Sequence, residues 1–483
     1  MSGISGILNV AKNALLAQQV AMEVTSQNIA NVNTTGYSRQ KAILESLGAL
    51  SATRIKVGFG VEVDSVIQYV DQFTNRAINT KTTSAEEYDA KASILSQLEA
   101  IFNETSDQGL GTVMNEFWKA WQDVANNPGG TPERTALIEK AQTLTSQFNS
   151  MSNDLNQIKQ SMNTNVKVTI NEVNSAIKGI ADLNEKIVSA ESSGTAANDL
   201  RDQRRILLEK LSTLIGTTYL EDGNGSMKVL TTDGLLLVDG NQSYGFEQDH
   251  TNIYWNNIQS DVSGRIHGGK MGAWLDVRDE IMPKYMANLD ELAGTFIAEV
   301  NTLNTAGYTR SGETGKYFFE DFRTAPQPPN SGDYSQAAAY IKLSTDVLNH
   351  PENIAAGGTS GDPGDNENAL KILALQTDDT IQIRKWVVEN RGANRSSSLQ
   401  TETLDDYYRT LTGELGILVG DNTQNGAFAK SMLENLASVR ESVSGVNLDE
   451  EMIDLTKTQQ AYAAAGKLVT IADEMLQTIL NIR

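Results

Sequence analysis

The first 32 residues carry one continuous pattern of apolar side chains. The spacing alternates between four and three residues, and the pattern occupies Ile4, Leu8, Ala11, Leu15, Gln18, Met22, Thr25, Ile29 and Val32. Such a heptad stripe predicts an amphipathic helix of the kind that forms coiled coils. The other face is built from Asn, Gln, Ser and Ala, with little Lys or Glu. We therefore expect protein on more than one side of this helix.

The end of the chain repeats this pattern. A second stripe with few charges occupies Leu448, Met452, Leu455, Gln459, Tyr462, Ala465, Val469, Ala472, Leu476 and Ile479. A single amphipathic stripe is usually the core face of its own domain. These two stripes, however, lie at the chain ends, where disorder is the default, and exceed the usual helix length. We therefore predict that the two ends pair and pack against copies of themselves.

The segment after the first stripe changes from helix to extended chain. Gly36 is expected to end the helix in a left-handed conformation, with Tyr37 folding back onto Val32. Apolar residues then alternate with polar residues or glycine at Ile55, Val57, Phe59, Val61 and Val63. A period of two predicts a half-buried strand or an extended arm.

The next part of the chain is predicted to be helical, from about residue 65 to residue 190. Residues 126–130, Asn-Asn-Pro-Gly-Gly, form a break. Thr131 offers a capping hydroxyl, Pro132 suits the first turn and Glu133 suits the positive helix end. A long helix is therefore expected to begin at Thr131 and to end near residue 192.

A mixed segment follows. Residues 197–215 are predicted to form an amphipathic helix, and residues 217–260 to form strands with a hairpin turn at Asp233-Gly234. Residues 305–368 are expected to be mostly loop and short strand. Further helices are predicted at about 276–304, 368–390 and from about 402 to the end.

Composition narrows the classes of function. The 483 residues include 39 Lys and Arg against 61 Asp and Glu, so the net charge is 39 − 61 = −22. This charge argues against binding to nucleic acid or to anionic lipid. The absence of cysteine excludes disulfides, thiol catalysis and Cys-based zinc sites. No apolar run is long enough for a membrane span, and we expect no cleaved signal peptide.

Residues that could carry chemistry are sparse. The candidates lack the spacing of a metal, phosphate or calcium site, so they are expected to be ordinary turns and surface residues: His250, His267, His350, 222–225, 268–270, 312–316 and 362–368. The acidic pairs Asp405-Asp406 and Glu450-Glu451 are adjacent on predicted helices and so do not face each other. We predict no enzymatic activity, no cofactor and no metal.

Five segments resemble known proteins. Residues 26–40, SQNIANVNTTGYSRQ, resemble the N-terminal signature S-x-N-I-A-N-x-x-T-x-G-[YF] of the flagellar rod–hook family of axial proteins. Residues 444–480, with Val-Asn-Leu-Asp-Glu-Glu and Gln-Gln-Ala-Tyr, are similar to the C-terminal helix of that family. The stretches 198–216, 268–301 and 364–376 resemble the hook-associated members.

The resemblance implies a mainly α fold with an inserted α+β domain. It implies a terminal helical assembly domain of paired coiled-coil helices (1–60 and 444–483) that lines the inner tube. A helical second layer would surround it (61–195 and 396–443). An outer domain of strands and helices (196–395) would be inserted between the halves.

It also implies a structural role in the bacterial flagellum, outside the cell, after export by the flagellar type III apparatus. The chain would join hook to filament. Its partners would be itself in a ring-like homo-oligomer, the hook protein, the second hook–filament junction protein and an export chaperone, with no nucleic acid and no membrane insertion. The alternatives are another axial component, such as hook or distal-rod protein, an enzyme on a flagellar scaffold, or a secreted adhesin.

The two stripes and the N-terminal signature together predict the residues that contact neighbouring subunits. At the N-terminal end we expect Ile4, Leu8, Leu15, Met22, Asn28, Ile29, Asn31, Val32, Asn33, Gly36 and Tyr37. At the C-terminal end we expect Leu448, Met452, Leu455, Gln459, Tyr462, Val469, Leu476 and Ile479. The asparagines could equally be simple helix caps.

Overall fold

The computed structural model describes residues 2–47, 58–102, 109–192, 194, 196–256, 258, 260–320 and 334–481. The expected alternation at Ile55 and Val57, and Ser193 at the end of the long helix, lie outside the described residues. A strand begins at Val61 and includes Val63, so the predicted strand is confirmed at these two positions, and Phe59 lies just before it.

Helices dominate the described residues. They are α1 Ser2–Ala30, α2 Gln72–Ile101, α3 Leu110–Asn126, α4 Thr131–Glu191, α5 Asn198–Leu214, α6 Gly269–Asp276, α7 Met282–Ala306, α8 Ala337–Tyr340, α9 Thr345–Leu348, α10 Glu367–Ala374, α11 Leu404–Ser444 and α12 Leu448–Asn481. The strands are β1 Gln40–Ser46, β2 Val61–Gln68, β3 Thr217–Glu221, β4 Met227–Thr231, β5 Leu236–Asp239, β6 Gln242–Ser243, β7 Phe246–Asp249, β8 Asn252–Trp255, β9 Gln382–Glu389 and β10 Asn394–Thr401.

The terminal helices α1 and α12 pack along each other, and the antiparallel hairpin β1–β2 packs against α1. α1 ends at Ala30, six residues before Gly36, where the sequence placed the end of the helix. The backbone N–H of Asn31 donates to the Gln27 carbonyl (3.0 Å), and the side-chain amide of Asn31 donates to the same oxygen (3.0 Å). Two further turns, closed by Thr34 and Tyr37, then reach Gly36 and the start of β1.

The 61-residue helix α4 spans two hydrophobic cores. Its N-terminal half packs with α2, α3, α7 and the start of α11 around an aromatic group of Phe117, Trp118, Trp121, Phe296, Phe318 and Phe319. Its C-terminal half packs with α5, α6 and the strands β4, β5, β7 and β8. The predicted start at Thr131, the length of the helix and the following helix α5 are confirmed.

Small antiparallel sheets cover the second core. The largest has the order β3-β4-β5-β6, and Val229 on β4 pairs with Val238 on β5. Gly234, with φ of +79°, provides the turn between β4 and β5, as the Asp233-Gly234 signal predicted. β7 and β8 form a separate two-stranded sheet.

The helix predicted at 368–390 is wrong over its second half. α10 ends at Ala374, and residues 382–401 form the antiparallel hairpin β9–β10. Asn390, Arg391 and Gly392 all have positive φ and form its turn. The buried side chain of Asn288 on α7 bonds both the N–H and the C=O of Trp386 (2.8 and 3.0 Å), so a tertiary contact fixes the extended backbone.

Two helix boundaries also differ from the prediction. Residues 65–68 belong to β2, and α2 begins only at Gln72, where Asp71 caps it by accepting from the Phe73 N–H (2.9 Å). The helix expected to start near residue 276 begins at Gly269. A π-helical segment, Val277–Ile281, joins α6 to α7 there.

Substitution of Phe117 tests the packing of the first hydrophobic core. Its side chain is fully buried, with ring centroids 5.0 Å from Trp118 and 5.2 Å from Phe296. We expect Phe117→Ala to lower the free energy of unfolding by about 3–5 kcal/mol, since it leaves a cavity among aromatic rings. Urea unfolding measures the change. The control is Phe73→Ala, because Phe73 is 81% exposed; an equal loss in both variants would contradict this core.

Asp290 on α7 holds the start of α8. Its carboxylate accepts from the backbone N–H groups of Gln336 (2.8 Å) and Ala338 (3.0 Å). Burial raises the pKa of Asp290 to about 7, against the lowering effect of these two bonds. Between its unfolded value near 4 and pH 7 the folded chain therefore binds the extra proton, and the contribution of Asp290 to stability falls as pH rises.

We expect Asp290→Asn to flatten the pH dependence of stability between about pH 4 and pH 7. Urea midpoints of the variant and the wild type across this range measure the slope. Asp421→Asn, which changes an exposed carboxylate on α11, should leave the slope as in the wild type. An unchanged slope in Asp290→Asn would show that Asp290 titrates alike in the folded and unfolded chain.

Candidate functional site

Asn28, in the last turn of α1, lies at the centre of the N-terminal signature. Its side chain is 1% exposed. The amide nitrogen donates to the Gln40 carbonyl (2.9 Å) and to Glu451 Oε2 (3.0 Å). The amide oxygen accepts from the Tyr37 hydroxyl (2.9 Å) and the Gln40 N–H (3.0 Å). All four hydrogen-bonding positions of this amide are therefore used within the chain.

Glu451, in the first turn of α12, receives this contact in a buried site. Its side chain is 2% exposed, and its Oε1 accepts from Arg39 Nε at 2.6 Å. The same guanidinium donates to Glu450 Oε2 at 2.9 Å. The Arg39 N–H donates to the Ser444 carbonyl (2.9 Å), at the end of α11. Arg39 thus bonds both helices of the C-terminal segment.

The same turn also bonds α5, which follows the long helix α4. Asp202 accepts from the Ser38 N–H (3.0 Å) and the Ser38 hydroxyl (2.8 Å). Arg205 donates to the Gly36 carbonyl, and its other nitrogen pairs with Glu209. We call Asn28, Gly36–Gln40, Asp202, Arg205 and Glu451 the terminal joint. It connects α1, α5 and α12 at one point.

Gly36 is required in the joint by backbone shape and by space. Its φ is +81°, a region that other residues rarely adopt. A Cβ added there would lie 2.7 Å from Cδ1 of Ile206 on α5. Burial, together with the charges of Asp199, Asp202 and Glu451, raises the pKa of Tyr37 to about 12. The Tyr37 hydroxyl therefore stays protonated and remains a donor to Asn28.

The predicted interface residues fall into three groups. Ile4 and Asn28 are buried within the chain. Half-buried are Leu8, Leu15, Met22, Ile29, Asn31, Val32, Gly36, Tyr37, Leu455 and Val469. Exposed are Asn33, Leu448, Met452, Gln459, Tyr462, Leu476 and Ile479. Their contacts with neighbouring subunits remain a prediction, and Asn31 bonds only locally, to Gln27 and Thr34.

The helix α12 leaves most of its apolar side chains uncovered. Among its described residues only Glu451, Ala465 and Ala472 are buried. The exposed apolar residues are Leu448, Met452, Ile453, Tyr462, Leu468, Ile471, Met475, Leu476, Ile479 and Leu480, which we call the α12 apolar face. Five of them, Ile453, Leu468, Ile471, Met475 and Leu480, lie outside the predicted stripe and widen it.

Sequence reasoning missed several residues of the joint. Glu451 lies in the C-terminal motif Val-Asn-Leu-Asp-Glu-Glu but was not predicted to be a site residue, and neither were Ser38, Asp202 and Arg205. The usable signal was the position of Arg39, two residues after the signature tyrosine, because a charge placed beside buried residues needs a partner.

The arrangement offers structural bonding and no chemistry of its own. Over the described ranges, no group of three His, Asp or Glu side chains could hold a metal ion. None of the helices searched there is long and apolar enough to cross a membrane. Each charged group of the joint has an opposite charge or a hydrogen-bond donor facing it.

The ends and the middle of the chain match different family profiles. Residues 8–37 match "Flagella basal body rod protein", and residues 440–482 match "Flagellar basal body rod FlgEFG protein C-terminal". Four residues of the joint, Asn28, Gly36, Tyr37 and Glu451, lie within these two matches, and both matched families are flagellar basal-body rod proteins. Residues 95–319 match "Flagellar hook-associated protein FlgK helical domain".

Relatives that match almost the whole chain are hook-associated proteins, as is the family matched by residues 95–319. The sequence is 29% identical to flagellar hook-associated protein 1 of Bacillus subtilis, over 98% of this chain and 97% of the relative. It is 24% identical to the protein of the same name in Escherichia coli, over 99% of this chain and 100% of the relative. Residues 95–319 thus match the FlgK helical domain, and proteins named flagellar hook-associated protein 1 match nearly the whole chain; these homologues are structural proteins and not enzymes.

A solved structure shows the same fold. The flagellar hook junction protein FlgK from Burkholderia pseudomallei superposes with a TM-score of 0.63 at 17% sequence identity, covering 77% of this chain and 100% of that chain. The similarity confirms the predicted fold class in its coarse form. The chain is mostly helical, with small antiparallel sheets and a long C-terminal helix pair.

Asn28 gives a direct test of the joint. We expect Asn28→Ala to leave the Gln40 N–H and the Tyr37 hydroxyl without their buried partner, at a cost of about 1–3 kcal/mol for each unsatisfied group. Hydrogen exchange at Gln40 and in the first turn of α12 should become at least roughly tenfold faster, because about 1.4 kcal/mol is a factor of ten.

The matched control is Asn33→Ala, at an exposed asparagine of the same signature. Its exchange rates should equal those of the wild type. Unchanged protection at Gln40 in Asn28→Ala would mean that Asn28 does not bind the two chain ends together.

Proposed function

We propose that the chain is a structural component of the bacterial flagellum that joins hook to filament and polymerises through its terminal helices. The observation that carries the proposal is the α12 apolar face, which lies beside the buried joint. Each Leu, Ile or Met that a neighbour fully covers contributes on the order of 1.5–3 kcal/mol. A face of this extent on a monomer is typical of an interaction surface.

The charge distribution favours packing of the ends. Residues 1–48 hold three positive and two negative side chains, and residues 446–483 hold three and six, so most of the charge of −22 lies in the middle. The nearly neutral ends can approach copies of themselves. The acidic middle repels other middles and favours positions apart from one another.

The proposed layout follows from these two properties. Residues 1–60 and 444–483 form the assembly unit, residues 61–195 and 396–443 a helical second layer, and residues 196–395 an outer part. α4 belongs to the second layer, and its C-terminal half packs on α5 and on strands of the outer part. The joint then fixes the assembly unit to α5, at the boundary of the outer part.

The proposed partners are further copies in a ring-like homo-oligomer, the hook protein, the second junction protein and an export chaperone. We propose export by the flagellar type III apparatus to the extracellular flagellum. Support comes from the similarity to the flagellar hook junction protein of Burkholderia pseudomallei and to flagellar hook protein FlgE of Caulobacter vibrioides, which is 43% identical over 58 residues.

The alternative is another axial component, such as hook or distal-rod protein. The hook protein relative matches only 12% of this chain, and the basal-body rod protein FlgG of Caulobacter vibrioides matches only 14%. Hook-associated relatives match almost all of it. The whole-length similarity therefore favours the hook–filament junction.

A deletion strain tests the proposed role. Without this chain, electron microscopy should show hooks that lack filaments, with filament protein in the medium, and the wild-type gene should restore filaments. Cells that keep attached filaments would contradict the proposal. Cells that lack hooks would favour the alternative.

Complementation with α12 variants tests the assembly face. We expect Met452→Lys and Leu476→Lys to abolish filament attachment, because each places a charge in an interface that must exclude water. The monomer should change by no more than about 0.5 kcal/mol in urea unfolding, since both side chains are exposed. Gln460→Lys, at an exposed polar position of α12, is the control; full function of all three variants would contradict the proposed face.

A further inference from the structure

A cleft of about 430 Å³ lies between the start of α7, the end of β9 and the middle of α11. This volume falls in the range of ligand-binding sites, roughly 300–1,000 Å³. It is remote in sequence from the residues of the terminal joint. Its apolar lining is Ile281, Tyr285, Val387, Val388, Ile417 and Leu418.

The polar lining of the cleft is acidic. Four carboxylates, those of Glu280, Glu389, Glu414 and Asp421, face one ammonium, that of Lys284. Glu414 is neutralised, because it accepts from Lys284 (2.8 Å) and from Lys385. Glu280 accepts from the backbone N–H of Arg391 (3.1 Å). Glu389 and Asp421 are exposed, and the ion pairs of the described residues include neither of them.

The buried hydroxyl of a residue that lines the cleft lacks a hydrogen-bond partner among the described residues. Tyr285 is 1% exposed, and its hydroxyl has no hydrogen-bond partner among the described residues. Burial, and secondarily the charge of Glu414, raises the pKa of Tyr285 well above its usual range. Tyr285 and Glu414 both line the cleft. A buried unpaired hydroxyl costs free energy, and a ligand that bonds it recovers that cost.

We propose that this cleft binds an arginine side chain, next to an aliphatic residue, presented by a partner protein different from this chain. A guanidinium has five donors in a planar fork, so it can bond more than one acceptor at once, and Glu389 and Asp421 are the exposed carboxylates of this lining. The methylene stem of an arginine packs on an apolar wall such as that of Val387 and Leu418.

The outer edge of the cleft indicates which kind of residue would lie next to the arginine of the partner protein. Ile417 is 67% exposed and stands at the rim, where an aliphatic side chain beside the arginine would cover it. The surplus of carboxylates over the lysine favours a cationic occupant, and the acidic net charge of the whole chain, −22, strengthens this preference. The proposal does not depend on the proposed function.

The test uses the full chain with methyl-labelled Ile, Leu and Val, and acetyl-Leu-Arg-amide as the probe. The methyl resonances of Val387, Ile417 and Leu418 should shift on titration, with saturation. The double variant Glu389→Gln/Asp421→Asn should raise the dissociation constant of the probe about tenfold, which corresponds to about 1.4 kcal/mol. Glu434→Gln/Glu474→Gln removes the same charge from exposed positions elsewhere and should bind as the wild type does.

A control probe, acetyl-Leu-citrulline-amide, has the same shape without the charge and should bind at least about tenfold more weakly. Equal binding of both probes, or no methyl shift at millimolar concentration, would overturn the proposal. Sedimentation of the full chain separates the possible sources of the arginine. Self-association that Glu389→Gln/Asp421→Asn abolishes would assign the cleft to a second copy and overturn the assignment to a different protein.

Discussion

The structure depends most on one buried amide, that of Asn28, which has all four of its hydrogen bonds inside the chain. Two of its partners belong to the Gln40 backbone, one is Tyr37, and one is Glu451, which lies 423 residues away in sequence. A polar group buried without partners would cost several kcal/mol, whereas a fully bonded one is compatible with a single arrangement only. Asn28 therefore determines where α12 begins relative to α1, and the packing of the two terminal helices follows from that position.

The contacts around this amide explain how distant segments act together. Arg39 balances the charge of Glu451 and bonds the end of α11, while Asp202 and Arg205 hold the adjacent turn against α5. Buried ion pairs contribute little net stability, but they penalise every arrangement that separates the charges. The joint thus selects one orientation of the terminal helices on the α5 side of the molecule. Stability of the middle comes from elsewhere, from the two hydrophobic cores that α4 connects.

Local patterns in the sequence predicted much of this fold, because helix period and turn chemistry act over a few residues. The start of α4 at Thr131, the hairpin at Gly234 and the two terminal stripes are of this kind. The hairpin β9–β10 was missed, since Asn288 of α7 fixes the β9 backbone from a distance of about a hundred positions along the chain. The role of Asn28 as an interface residue was proposed from the signature, yet its partner Glu451 was not. No local sequence pattern indicates a pairing between residues so far apart in the chain.

The terminal joint requires Arg39 and Glu451 to act as a coupled pair. A double-mutant cycle of Arg39→Met and Glu451→Gln, followed by urea unfolding, measures this coupling most directly. We predict an interaction free energy of about 1–3 kcal/mol, because each single change leaves the other group without its buried partner. Additive effects, equal to within about 0.5 kcal/mol, would contradict the claim that the joint holds the two ends of the chain together.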